Sequence, residues 1–205
     1  MSHQLPRDSV SDDVLLARLA AGDEVAFTAL FRRHQDDVYR VALLMTGKPA
    51  SAEDVTQDVF LAVMSDAGRY ESGRSSVKAW LCGIARNHAR RRLERDGRNV
   101  PLLEDADGLA GAAPVQPDPV GELTNRERVD ALRRAILNLP LRYREVVVLC
   151  DLEEISYADA AVALDCAVGT VRSRLHRARA LLAAKVRAGL PSESPEGQRI
   201  SRCLA

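Results

Sequence analysis

The residues best suited to chemistry in this 205-residue chain are basic side chains near its C-terminal end. Six basic residues and no acidic one lie between Arg172 and Arg187. Arginine side chains in such a row can contact phosphates or pair with the edge of a guanine. This segment therefore indicates a surface that binds a polyanion.

The stretch 155–183 predicts two helices and a tight turn, which together would position these arginines. Ser156 is a good N-cap residue, with Asp159 three residues later. A small-residue first helix, a short turn and a basic second helix form a helix-turn-helix, which places its second helix in a DNA major groove. An ordinary helical hairpin with a solvated basic face is the alternative. One apolar stripe holds the second helix in place: Val171, Leu175, Ala178 and Leu182.

Composition and charge exclude several classes of protein. The formal net charge is zero, so basic residues are not in excess over acidic ones. The charges are instead segregated into acidic and basic segments along the chain. No apolar run could span a bilayer, and the N-terminus lacks the apolar segment of a signal peptide, so we expect a cytoplasmic protein. No phosphate-binding glycine loop, metal constellation or nucleophile–base pair is present, so no catalytic residue, cofactor or metal site is predicted. The scattered cysteines predict reduced thiols: Cys82, Cys150, Cys166 and Cys203.

The N-terminal half predicts helices with two contrasting charged faces. In a helix that Ser51 is expected to cap, the side opposite the apolar row carries Glu53, Asp54, Gln57 and Asp58. Taken alone, this acidic face is most simply a solvated one. Beyond a Gly- and Ser-rich loop, a helix starting near residue 77 carries arginines that are expected to point outward and track phosphates: Arg86, Arg90, Arg91, Arg92, Arg95 and Arg98.

A change of composition divides the chain in two. Residues 99–121 contain four prolines and no basic residue, which is typical of a linker. We therefore predict an all-α protein, with two small helical domains joined by a flexible acidic linker. The predicted segments are a disordered N-terminus (1–10), a helical bundle (11–98), the linker (99–121), a helix-turn-helix domain (122–187) and a disordered C-terminal tail (188–205).

Three stretches together resemble the extracytoplasmic-function (group 4) sigma factors, which belong to the sigma-70 family of bacterial RNA polymerase. LPLRYREVVVLCDLEEISYADAAVALDCAVGTVRSRLHRARALL resembles their region 4. GDEVAFTALFRRHQDDVYRVALLMTG followed by SAEDVTQDVFLAV resembles regions 2.1 and 2.2, and YESGRSSVKAWLCGIARNHARRRLER resembles regions 2.3 and 2.4. The resemblance covers about residues 11–187. It departs from the family at Arg91, where an acidic residue is common, and at Cys166-Ala167, which replaces Ile-Pro.

The resemblance implies a promoter-specificity subunit that has no enzymatic activity of its own. Such a sigma factor binds core RNA polymerase and directs initiation at promoters, in a stress or envelope response under the control of an anti-sigma factor, without membrane insertion. The acidic face of Glu53, Asp54, Gln57 and Asp58 would dock on the clamp helices of the largest polymerase subunit, and the flap region is a second expected contact. The acidic linker would thread toward the RNA path.

The resemblance also implies where promoter DNA binds. Helix 168–183 would read the −35 element, with Thr170, Arg172, Ser173, Arg174, His176, Arg177 and Arg179 as candidates. The segment from the loop onward would open and recognise the −10 element, with Tyr70, Ser75, Ser76, Lys78, Trp80, Arg86, Asn87, Arg90 and Arg91 as candidates. Trp80 taken alone is more readily a core residue than a base-stacking platform.

A stand-alone transcription regulator, with a similar helix-turn-helix and an N-terminal sensory or dimerising domain, is the alternative. Binding to core polymerase without DNA separates the two hypotheses. If the sigma-factor hypothesis holds, the free protein is expected to bind promoter DNA poorly.

Overall fold

A computed structural model describes residues 10–97 and 125–189 of the chain. The predicted linker, most of the predicted N-terminal and C-terminal segments, and Cys203 lie outside these residues. Within the described ranges the regular structure is helical, without strands. The helices are α1 (Asp12–Ala20), α2 (Glu24–Thr46), α3 (Pro49–Asp66), α4 (Val77–Arg95), α5 (Asn125–Leu137), α6 (Leu141–Val146), α7 (Tyr157–Ala163) and α8 (Val168–Gly189).

Short-range sequence signals set the ends of the N-terminal helices. The side chains of Ser11 and Asp23 accept hydrogen bonds from first-turn amides and so cap α1 and α2. Gly47 ends α2 with φ at +73°, in the left-handed region that glycine adopts without a Cβ penalty. The expectation that Ser51 caps α3 is wrong. Pro49 fills the first turn instead, because it has no amide hydrogen to leave unpaired, and Ser51 is buried inside the helix.

Helices α1 to α4 form the N-terminal domain, in which α2 packs against the other three. Val38, Val41 and Ala42 of α2 are fully buried, as are Val59 of α3 and Ala85 of α4. Val41 and Ala42 lie three and four residues after Val38, so the three residues share the face of α2 that packs into the core. Val10 also packs against this core, just before α1.

A polar pair ties α1 to α2 inside this domain. His34 is only 5% exposed, and its Nε2 lies 2.8 Å from Asp12 Oδ2. This hydrogen bond is the main cause that lowers the pKa of Asp12, with a further contribution from Arg33. Sequence patterns do not predict this contact, because Asp12 and His34 lie 22 positions apart along the chain.

Helices α5 to α8 form the second domain and contain the predicted helix-turn-helix. Ser156 Oγ accepts a hydrogen bond from the Asp159 amide at 3.1 Å, which confirms the predicted cap of α7. Asp165 takes a positive φ of 50° in the turn between α7 and α8. Before α7, a π-helical turn (Val147–Leu152), which the periodicity did not predict, continues α6. The predicted α8 stripe is buried at Val171, Leu175 and Ala178, and Leu182 packs against its edge.

The two domains pack against each other. Helix α4 contacts α7, and α2 contacts α5 and α6. A Cβ added at Gly83 of α4 would lie 3.3 Å from the Cβ of Ala163 in α7, so two small residues set this close approach. Arg144 of α6 donates a hydrogen bond of 2.7 Å to the Met45 carbonyl, near the end of α2. The position of the second domain is therefore fixed by contacts with the first.

Candidate nucleic-acid interface

Helix α8 exposes most of the residues predicted to read DNA. Its buried stripe faces the domain core, so the opposite side is left to solvent. Ser173 Oγ donates a hydrogen bond of 3.1 Å to the Thr170 carbonyl, and Thr170 is half-buried, as is Arg174. The exposed candidates on this face are Arg172, Ser173, His176 and Arg177.

Arg179 of α8 is paired with an acidic side chain. Its Nε lies 3.0 Å from Asp151 Oδ2, and its Nη2 also contacts this carboxylate. The hydrogen bond with Asp151 raises the pKa of Arg179. Asp151 therefore competes with any nucleic acid for the Arg179 guanidinium.

The loop before α4 is held in place by α1. The hydroxyl of Tyr70 lies 2.8 Å from the Ser75 carbonyl and 3.0 Å from Asp13 Oδ1. Ser72 Oγ donates to the same Asp13 oxygen at 2.8 Å. The Tyr70 ring also packs on Trp80, with 5.4 Å between ring centroids. Burial, followed by the contact with Asp13, raises the pKa of Tyr70 to about 12. Sequence reasoning did not single out Asp13, which accepts hydrogen bonds from both side chains of this loop.

An open groove of about 320 Å³ lies beside this loop, between α3 and α4. Three of the predicted −10 residues line it: Trp80, Asn87 and Arg91. Trp80 is half-buried, so it both packs against the core and reaches the groove. The structure thus brings an aromatic ring, an amide and a guanidinium to one surface.

Three other −10 candidates contact carboxylates of the second domain. Lys78 Nζ lies 3.1 Å from Glu153 Oε2, and Arg86 Nε lies 2.6 Å from Glu145 Oε1. Ser76 donates a hydrogen bond of 3.1 Å to a carboxylate of α7. The expectation that Arg86 points outward is wrong for this arrangement: its side chain is only 12% exposed, because the second domain covers it. Neither glutamate was recognised from the sequence.

The acidic face of α3 lies on the side of the helix away from its buried row. Glu53, Asp54 and Gln57 are exposed, and Asp58 is half-buried. Asp54 Oδ2 accepts from Arg92 Nη1 of α4 at 2.9 Å, so part of this charge is balanced within the domain.

Two apolar side chains continue the same surface of α3. Leu61 and Met64 are 56% and 54% exposed. Large apolar groups beside a polar patch are typical of a protein-binding surface. The sequence could have indicated this exposure, because Leu61 and Met64 do not belong to the apolar row of α3 that packs into the core.

The described residues show neither a metal site nor a membrane span. In residues 10–97 and 125–189, no group of His, Cys, Asp and Glu side chains is arranged to hold a metal ion. No helix in these ranges has both the length and the hydropathy needed to cross a bilayer.

Comparison with protein families gives two matches. The Sigma-70 region 2 family matches residues 30–99, and the Sigma-70 region 4 family matches residues 130–182. The first match covers α3, the loop and α4. The second covers the helix-turn-helix.

Curated relatives match over most of the chain. It is 38% identical to the ECF RNA polymerase sigma factor SigM of Mycobacterium tuberculosis, over 86% of this chain and 85% of the relative. It is 32% identical to the ECF RNA polymerase sigma-E factor of Escherichia coli, over 87% of this chain and 96% of the relative. The match to SigE of Mycolicibacterium smegmatis is 36% identical and covers 78% of this chain, but the chain spans only 62% of that relative.

Two solved structures share this arrangement of helices. One is CnrH in complex with the cytosolic domain of CnrY, with a TM-score of 0.66 and 26% identity, over 87% of this chain and 99% of that one. The other is the sigma factor RpoE in complex with the anti-sigma factor NepR from Bartonella quintana. Its TM-score is 0.60 at 27% identity, over 78% of this chain and 96% of that one.

Proposed function

Because the chain belongs to the extracytoplasmic-function sigma factors of the sigma-70 family, we propose that it binds core RNA polymerase and directs initiation at specific promoters. The observation that carries this proposal is the combination on one chain of an acidic helix face on α3, an aromatic groove beside α4 and a basic recognition helix. Each surface lies within a segment that matches the corresponding family region.

Helix α8 is suited to the −35 element. A recognition helix enters the major groove, where arginine pairs with guanine and other side chains contact phosphates. Arg172 and Arg177 are exposed on the face of α8 that would meet the bases. We assign base reading to this pair and its polar neighbours, and a weaker role to Arg179, whose guanidinium Asp151 holds.

The groove beside α4 is suited to an unpaired base of the −10 element. Extruding a base from a duplex costs a few kcal/mol, which stacking and phosphate contacts can offset. Trp80 supplies an aromatic surface, Asn87 supplies hydrogen bonds and Arg91 supplies positive charge in the same groove. Tyr70, held by Asp13, would set the shape of the neighbouring loop.

The remaining surfaces fit protein partners. The α3 face around Glu53 and Gln57 would meet the clamp helices of the polymerase, and Leu61 would add apolar contact. Complementary charge at such an interface raises the association rate and fixes the orientation. The second domain would contact the flap region. Because the solved relative RpoE is bound to an anti-sigma factor, we assign this chain an anti-sigma partner and a role in a stress or envelope response.

Run-off transcription with purified bacterial core polymerase tests the proposal. Core polymerase is incubated with a pool of candidate promoters, with and without this protein. New start sites that need the protein are expected, and their upstream sequences should align into two elements. No new transcript, together with no co-purification with core polymerase, would instead favour a stand-alone regulator.

Replacing Asp13 with alanine is expected to slow promoter opening about tenfold. The substitution removes the acceptor that holds both Tyr70 and Ser72, and each hydrogen bond to a charged group contributes about 1.5–3 kcal/mol. A fluorescent adenine analogue in the −10 element would report the opening rate. Asp36→Ala, which removes an exposed carboxylate of α2, is the matched control. Equal rates for the two variants would refute the positioning role of Asp13.

A further inference from the structure

We propose that the free chain is held closed by an ionic latch, in which two buried carboxylates of the second domain pair with basic side chains of α2 and α4 that would otherwise be open to DNA phosphates. The latch consists of Glu145 and Glu153 with their partners Arg40, Lys78 and Arg86. The identification of the blocked ligand as DNA rests on the proposed function. The contacts themselves stand on the geometry alone.

Glu153 forms the larger half of the latch. It is 2% exposed, and its two oxygens accept hydrogen bonds of 3.0 Å from Nε and Nη2 of Arg40. Lys78 reaches the same carboxylate at 3.1 Å, so one buried anion gathers two cations from two helices of the first domain. Glu153 is the main cause that raises the pKa of Arg40. Burial lowers the pKa of Lys78, but the hydrogen bond to Glu153 helps to outweigh it, and the net shift is upward.

Glu145 forms the other half. It is 3% exposed and lies 2.6 Å from Arg86 Nε. A buried carboxylate that loses its cation is strongly unfavourable, so both glutamates require the first domain as long as they stay buried. Separating the domains exposes anion and cation together to water, and this hydration offsets most of the lost attraction. Such a pair specifies the closed arrangement and still allows it to open.

The other contacts between α4 and α7, called here the seam, fit the same closed state. Gly83 and Ala163 let α4 and α7 approach closely, and Ser76 donates to Asp159 at 3.1 Å beside them. A carboxylate and a phosphate both present anionic oxygens to a guanidinium or an ammonium group. Lys78 and Arg86 cannot serve both at once. The closed chain and the chain bound to DNA through this surface therefore exclude each other.

The latch engages Lys78 and Arg86 of α4 but leaves the recognition helix α8 uncovered. The polar face of α8, including Arg172 and His176, stays exposed in the closed arrangement. The free chain is therefore expected to keep its recognition helix and the groove beside α4 accessible, while the basic groups of Lys78 and Arg86 are blocked. Binding to core polymerase, which needs the two domains at separate promoter elements, would open the latch.

The test uses the full chain with Glu145→Gln and Glu153→Gln together. Glu154→Gln with Asp130→Asn is the matched control, because it removes the same charge from two exposed carboxylates of the second domain. Affinity is measured by anisotropy with a fluorescein-labelled, mixed-sequence single-stranded 12-mer. X-ray scattering gives the radius of gyration. We expect the latch variant to bind at least tenfold more tightly than the control and to be more extended, whereas the control should stay within about twofold of the unmodified chain.

A steric variant opens the seam without changing any charge. Ala163→Leu places a larger side chain against Gly83 and leaves both glutamates and their cations in place. It should give the same gain in affinity and the same extension. This variant keeps the test decisive if Glu145→Gln with Glu153→Gln prevents folding. Affinity and radius of gyration equal to those of the unmodified chain in the folded variants would overturn the latch.

Transcription separates failure of the latch from failure of the proposed function. With saturating protein, run-off transcription by core polymerase should be equal for the unmodified chain and the latch variant, because the polymerase-bound chain is already open. Transcripts from both, without a difference in radius or affinity, would overturn only the latch. More extended variants that bind the 12-mer more tightly, without transcripts from any chain and without co-purification with core polymerase, would support the latch and overturn the proposed function.

Discussion

Replacing Glu53 and Asp54 with lysine is expected to weaken binding to core RNA polymerase about a hundredfold, or about 2.7 kcal/mol. Both side chains are exposed on the face of α3 that carries the proposed polymerase contact. The substitutions would set positive charge where the clamp is expected to require negative charge, and like charges across an interface cost several kcal/mol. The reversed Asp54 also loses its contact with Arg92, a surface ion pair of small value.

Affinity for core polymerase without DNA is the measurement, made by anisotropy at two salt concentrations. Glu24→Lys with Asp36→Lys is the control, because it makes the same charge change at exposed positions of α2. The control should bind within about threefold of the unmodified chain, and the difference should shrink at high salt as charges are screened. If both double variants lose affinity equally, α3 is not the docking face.

Replacing Arg172 and Arg177 with alanine is expected to reduce transcription from a −35-dependent promoter about a hundredfold at limiting holoenzyme. Each arginine that pairs with guanine contributes about 1–3 kcal/mol of discrimination, and a phosphate contact adds salt-dependent affinity. Both side chains lie on the exposed face of α8, opposite the buried stripe, so their loss should leave the domain folded.

The structure supplies a control within the same helix. Arg179→Ala removes an identical side chain, but one whose guanidinium Asp151 holds, so we expect less than a fivefold loss. A template with a pre-opened −10 region and no −35 element should be transcribed equally with the unmodified chain, the double variant and Arg179→Ala. A large effect on that template would show that the arginines of α8 act through folding or polymerase binding. Equal losses for Arg179→Ala and the double variant would contradict the assigned division of roles.

The sequence by itself determined the helices and the charged faces. Spacings of three and four residues placed Val171, Leu175 and Ala178 on one side of α8, and the structure buries all three. Ser156 and Asp159 marked the start of α7 because a cap uses only neighbouring atoms. The acidic face of α3 and the basic face of α8 followed from the same periodicity. These features depend on interactions within one helix, so the spacing and types of neighbouring residues were sufficient to predict them.

Only the tertiary structure decided which charges remain available. Arg86 and Arg91 look equivalent in the sequence, yet one is covered by Glu145 of the second domain and the other lines an open groove. In the sequence Arg179 resembles Arg172, but in the structure its guanidinium pairs with Asp151. Such pairs join residues separated by tens of positions, and periodicity within one helix carries no information about what another helix brings to its surface. Packing between the domains, set by small residues and buried carboxylates, therefore decides which basic side chains of α4 remain open to solvent.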